Sequence, residues 1–223
     1  METREIMAFL TELSCNNNKE WFHANKPRYQ AVKRAVDELA AELLEAVGAF
    51  DETIGRQTPA DCVFRIYRDI RFAKDKSPYK THFGMFVARG GRNSCYNGYY
   101  FQMGADGGEH IVAVGNYFLP PAALTVLRED IQMGEGDFRE ILSRVDPRLQ
   151  MNYTDSLKRT PRGFPSEGPD AAFYKLKSFG LWYRPEDDFI TAPCLVGRLA
   201  EMFKTAKPFV DYINRAIDYS LGN

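Results

Sequence analysis

No stretch of this sequence stays apolar for the roughly 18 residues that a bilayer-spanning helix needs. A secretion signal is missing too: Met1-Glu-Thr-Arg-Glu-Ile-Met7 puts acids where such a signal needs a basic segment and then an apolar one. A cytoplasmic protein without membrane contact is the expectation. Cysteine is scarce and scattered, with Cys15, Cys62, Cys95 and Cys194 far apart, and His23, His82 and His110 are as isolated. Zinc sites announce themselves by ligand pairs a few residues apart, so no metal centre is expected and the thiols read as incidental. The glycines form neither G-x-x-x-x-G-K-[ST] nor G-x-G-x-x-G, the two spacings that cradle phosphates at a helix start. No cofactor is expected. Charge of one sign is absent as well: the net charge of −1 argues against a nucleic-acid partner held by overall electrostatics.

Composition is ordinary, with 44% hydrophobic and 26% charged residues over 223 positions. That balance fits an ordered chain, and the length suits one domain spanning residues 1–223 with a substantial core. Ile6, Met7, Phe9, Leu10 and Leu13 recur at helical spacing, with Thr3 as a cap. Asn16-Asn17-Asn18 ends that helix and caps a short one carrying Trp21 and Phe22. A long amphipathic helix is expected over 27–47, with apolar residues every three or four positions and Gly48 as its stop.

The period then changes. Segments 63–72, 82–89, 94–103 and 109–118 are rich in β-branched and aromatic residues and are expected as strands, with glycine clusters between the later ones. Short links imply antiparallel pairing, because parallel neighbours need long crossovers. Helices are expected over 121–131 and 137–145, and an irregular stretch over 146–170. A strand over 175–183 and a helical end over 193–219, broken near Lys207-Pro208, complete the reading. The fold class is therefore α+β: a central, mostly antiparallel sheet flanked by N-terminal and C-terminal helices.

The chemistry concentrates in 61–87. Between 61 and 80 stand six basic residues (Arg65, Arg68, Arg71, Lys74, Lys76, Lys80) against three acids (Asp61, Asp69, Asp75). Side chains alternate across a strand. A strand over 63–72 would therefore put Phe64, Ile66, Arg68, Ile70 and Phe72 on a core face, and Arg65, Tyr67, Asp69 and Arg71 on the other. Arg68 would then need buried acceptors, a bulge or an anion beside it, since an unpaired buried charge costs several kcal/mol. Arg65 and Arg71 about Asp69 suit bidentate capture of phosphate or carboxylate. Equally, such a row is an ordinary solvated face of alternating ion pairs, worth little each. Lys76 and Tyr79 sit on the following loop, and a second basic knot stands at Lys158-Arg159-Thr-Pro-Arg162. Sheet aromatics such as Tyr96, Tyr99, Tyr100 and Phe101 read as core or cross-strand pairs before they read as base-stacking platforms. Glu186-Asp187-Asp188 reads as an exposed loop.

The run Arg65-x-x-Arg68-Asp69-x-Arg71-Phe72-x-x-Asp75-Lys76-x-x-Tyr79 resembles the signature of an uncharacterised bacterial and fungal family, domain of unknown function 2461. Asn17-Asn18-x-x-Trp21-Phe22-x-x-Asn25-Lys26-x-x-Tyr29 is similar to its N-terminal pattern. Leu157-Lys158-Arg159-x-Pro161-Arg162-Gly163-Phe164 and Tyr174-Lys175-x-Lys177-Ser178 are similar to its C-terminal half. The resemblance implies no established activity, cofactor or substrate. It weighs toward a site in the central motif, because so many charged positions in one signature are hard to explain as a solvated face.

Three functions compete. The first is a binding protein or enzyme for a small anionic ligand, phosphorylated ligands included: Arg65, Arg68, Arg71, Lys76, Lys80, Lys158 and Arg159 hold the anion. Asp69, Asp75, Lys76 and Tyr79 are then the catalytic candidates. The second is single-stranded nucleic-acid binding, and the third a structural ion-pair network. Substrate, reaction type and oligomeric state are not legible in the residues.

Overall fold

In the computed structural model, residues 3–134 and 136–222 are described. Three helices open the chain: α1 (Thr3–Cys15), α2 (Lys19–Ala24) and α3 (Lys26–Gly48). The Asn18 side chain accepts the Trp21 N–H at 2.9 Å, a conventional N-cap that starts α2. A short helix α4 (Pro59–Cys62) follows, capped by reciprocal bonds between Thr58 and Asp61. The strands β1 (His82–Ala88), β2 (Gly98–Gly104) and β3 (Ile111–Gly115) form a meander. After α5 (Pro121–Met133) and α6 (Asp137–Ser143) come β4 (Gln150–Met151), α7 (Ala171–Tyr174) and β5 (Gly180–Tyr183). The chain closes with α8 (Asp187–Thr191), α9 (Leu195–Thr205) and α10 (Lys207–Leu221). The expected break falls between α9 and α10, where Pro208 lies in the first turn of the new helix.

The sheet has the order β1-β2-β3-β5-β4, every pair antiparallel, so the molecule is α+β as expected. Its register divides the side chains cleanly. Phe83, Met85, Val87, Tyr99, Phe101, Met103, Val112, Val114 and Leu181 share one face, and all are buried. Helices cover that face. Phe203 of α9 lies 5.3 Å from the Tyr99 ring, and Phe9, Leu10, Val36 and Leu43 of α1 and α3 join the same core. Inside it Asp51, fully buried, accepts Thr53 N–H at 3.1 Å, Thr53 Oγ1–H at 2.7 Å and the Tyr99 hydroxyl at 2.8 Å. Three donors on one carboxylate offset its loss of water.

The expected strand over 63–72 is not there. Residues 63–68 run beside 78–85 and touch them at single bridges, Val63 with Met85 and Tyr67 with Tyr79. Phe64 N–H bonds Gly84 O, yet Lys80 N–H bonds Ile66 O, so two residues are left over on the 81–83 side. Exposure still alternates as far as Arg71, with Arg65, Tyr67, Asp69 and Arg71 exposed and Phe64, Ile66, Arg68 and Ile70 wholly or partly covered. Phe64 faces out across the sheet edge, Ile66 is buried and Phe72 is 96% exposed. Arg68 does not enter the core; it bonds Asp75 and, at 3.2 Å, Ser77 O. Tyr79 is the residue that goes inward, stacked on Phe22 at 3.9 Å with Asn17 bonded to its backbone on both sides. The strand over 175–183 starts late, at Gly180, because Lys175 and Leu176 close the turn after α7. Glu186-Asp187-Asp188 is not a free loop: Asp187 opens α8 and binds His110 Nε2 at 2.7 Å.

Candidate functional site

Among the described residues no helix lines the cleft on the second face of the sheet, and here a ligand could reach side chains. Residues on this face are His82, Gly84 and Phe86 of β1, Tyr100 and Gln102 of β2, Ala113 and Gly115 of β3, and Gly180 and Trp182 of β5. Large and small residues alternate, so the backbone at the glycines forms a floor and the aromatics form walls. Phe64 at the β1 edge and Tyr117-Phe118 after β3 raise the rim. Together they enclose a cleft of about 330 Å³. That volume is at the lower end of ordinary ligand pockets and admits a molecule built on a single ring.

Two glycines make this shape. A Cβ on Gly84 would lie 2.6 Å from the Tyr100 hydroxyl, so glycine there lets the phenol ring lie across β1. The hydroxyl then donates to Gln102 Oε1 at 2.7 Å, and Gln102 donates to Glu109 O at 3.0 Å. A Cβ on Gly98 would meet Val87 O at 2.3 Å and the Ala88 Cβ at 2.5 Å, so β1 and β2 can only come this close without one.

The charged groups of the cleft are basic. Lys80 lies half-buried in its wall with Nζ 5.4 Å from the Phe64 ring centre. Burial, then the neighbouring Arg65 guanidinium, push its amine below the ordinary lysine range. His82 lies beside it: burial first and Lys80 second pull its imidazole down, against an opposing pull from Glu109. Arg92 reaches the rim and donates to Ala60 O. Burial raises the Tyr100 phenol, so its hydroxyl keeps its proton. Asn116 is fixed by donating to Ser94 O at 3.2 Å and Tyr96 O at 3.0 Å. Trp182 meets Tyr117 edge-on at 5.7 Å, with Arg184 over its other side at 5.3 Å.

Of the residues singled out from the sequence, Lys80 alone lines this cleft. Arg71 forks onto Asp69, with Nη2 2.6 Å from Oδ2, and holds its carboxyl below the usual range. Asp75 is pulled lower still by Ser77 and then by Arg68. Lys76 Nζ caps the loop by donating to Ile70 O at 3.0 Å. These pairs close the 68–78 loop on itself; Arg71–Asp69 is exposed, whereas Arg68 is mostly covered where it meets exposed Asp75. Arg65 is exposed, and its charge bears on both Asp69 and Lys80. Lys158 and Arg159 are exposed on the 152–170 stretch and do not line the cleft. Arg92 and Trp182 were not named from the sequence, Tyr100 was weighed only as a sheet aromatic, and His82 was noted only as an isolated histidine. Their signal was parity within 82–86 and 98–102, where glycines and aromatics alternate on one face.

Among the described residues no group of three His, Cys, Asp or Glu side chains is placed to hold a metal, and no helix is long and apolar enough to cross a membrane. A family profile described as conserved hypothetical protein, DUF2461, matches residues 5–212. The chain belongs to this family. No curated protein and no solved structure matches it. The run that resembles the DUF2461 signature ends at Tyr79, one residue before Lys80 in the cleft wall. The family's N-terminal pattern supplies Asn17 and Phe22, which hold Tyr79 from below. In this DUF2461 protein the charged motif frames the base of Lys80.

Proposed function

We propose that the open face of the sheet binds a small organic anion with a flat, apolar body. The observation that carries this reading is Lys80: a half-buried ammonium in an aromatic cleft, with no acid acting on it among the described residues. A buried cation without a partner is unfavourable, and an incoming carboxylate or phosphate would relieve that. Phe64, Phe86, Tyr100 and Trp182 offer faces and edges for a ring, each worth about 0.5–1.5 kcal/mol beyond burial. Arg92 at the rim supplies a further donor. The DUF2461 arginines then act at one remove: Arg65 sets the potential at Lys80, and the Arg68–Asp75 pair holds the loop that precedes it.

The test is a titration of Trp182 fluorescence, with Trp21 replaced by Phe, against aromatic carboxylates and aryl phosphates. A saturable change is expected, with a matching rise in melting temperature. Lys80→Met should weaken binding about tenfold, the worth of one partly buried ion pair of roughly 1.4 kcal/mol. If no aromatic anion exceeds an acetate or sulfate control, the reading fails.

One observation favours a second reading. Tyr117 and Phe118 are 68% and 83% exposed at the rim, as base-stacking residues of single-strand binders are. That reading requires affinity for oligonucleotides that falls steeply with salt, whereas a single anion in the cleft loses little.

A further inference from the structure

The surroundings of Lys80 suit more than electrostatic capture. We propose that Lys80 is a reactive amine whose Nζ condenses with the carbonyl carbon of an aromatic aldehyde or ketone bound in the cleft. This rests on the cleft being a ligand site and adds a covalent step to it. Nζ stands half-buried in the cleft, 5.4 Å from the Phe64 ring centre, and among the described residues the charged group that acts on it is another cation, Arg65. An apolar wall and a cationic neighbour are the two arrangements that free a lysine lone pair for attack. The lowered proton affinity at Lys80 is the consequence of both.

The step balances without any further reagent. The Nζ lone pair attacks the carbonyl carbon, a C–N bond forms, and the oxygen takes a proton to give a carbinolamine. A second proton on that hydroxyl lets the C–O bond break and water leave, and the two protons that Nζ gives up over the sequence match the two the oxygen gains, leaving the neutral imine. His82 lines the same cleft and serves as the proton carrier. His82 is suited to it because burial and Lys80 keep it neutral near pH 7. The aromatic walls exclude the water that would reverse the condensation.

The probe is para-carboxybenzaldehyde with cyanoborohydride on the full chain, followed by peptide mapping. One adduct is expected, on Lys80, forming at least tenfold faster than on the exposed Lys19, Lys74 and Lys158. Benzoate, which lacks the aldehyde, should slow the labelling of Lys80 and leave the other lysines unchanged. In Lys80→Arg the fast adduct should vanish. Uniform labelling with benzoate still changing Trp182 fluorescence overturns the reactive amine and leaves the binding site standing. Uniform labelling with no fluorescence response overturns both.

Discussion

The same substitution at two glycines of neighbouring strands should have opposite consequences. In Gly98→Ala the new methyl would sit 2.3 Å from Val87 O, 2.5 Å from the Ala88 Cβ and 2.8 Å from the Ala88 Cα. Carbon atoms rest at roughly 3.5–4.0 Å, so the overlap is more than an ångström and the obstacle is backbone. The strands must part. Overpacking costs about 1–3 kcal/mol, and a weakened ladder bond adds about 0.5–1.5. The smaller freedom of alanine in the unfolded chain returns about 0.4–1. Gly98→Ala should therefore lose about 2 kcal/mol. In Gly84→Ala the obstacle is the far end of one side chain, the Tyr100 hydroxyl at 2.6 Å, which can swing away. It forfeits the bond to Gln102, about 1 kcal/mol, and recovers most of that through the unfolded chain. Stability should change by less than about 1 kcal/mol, but the displaced ring enters the cleft and binding should be lost. Urea unfolding followed by tryptophan fluorescence, with the ligand titration beside it, separates the two. Equal unfolding midpoints for both variants, or full binding by Gly84→Ala, would refute the geometry.

Other outcomes follow from the same contacts. Tyr99→Phe should destabilise by about 1–3 kcal/mol in urea melts, because buried Asp51 loses one of its donors while the ring still packs on Phe203. Phe22→Ala should lose about 3–5 kcal/mol through the Tyr79 stack, whereas Arg71→Ala, removing an exposed pair, should stay within about 0.5. His82 has a folded pKa below its unfolded value of about 6.5, so the folded state binds fewer protons and stability rises with pH across the interval between the two. His82→Gln should accordingly flatten the loss of stability on acidification below about pH 6.5. Asp106, raised by Asp187, works with the opposite sign and stays in both proteins, so the difference between the two melts isolates His82. An unchanged slope would show that the imidazole is not held neutral.

Much of the architecture was legible because it follows from local period. Ile6 to Leu13 and Val32 to Val47 recur at helical spacing, and the structure buries those residues. Alternation and glycine punctuation marked β1, β2 and β3 to within a few residues. The 63–72 segment misled because its composition is that of a strand. What decides a strand is a partner in register, and the bulge at 81–83 denies it one beyond single bridges. Parity separated exposed from covered residues as far as Arg71, but the covered ones did not share one core: Phe64 joined the cleft, Ile66 the core, and Phe72 lies in solvent.

Residue order alone determined the helices, the antiparallel sheet and the density of charge before Lys80, since each depends on neighbours within a few positions. Parity could say that Gly84, Tyr100 and Trp182 lie across their strands from buried positions. Which face the helices would leave open depends on contacts between segments more than a hundred residues apart, such as Tyr99 against Phe203. The same holds for the arginines. Sequence places Arg68 and Arg71 beside Asp69 and Asp75, and only the folded loop turns them onto those acids and leaves Lys80 in the cleft without one.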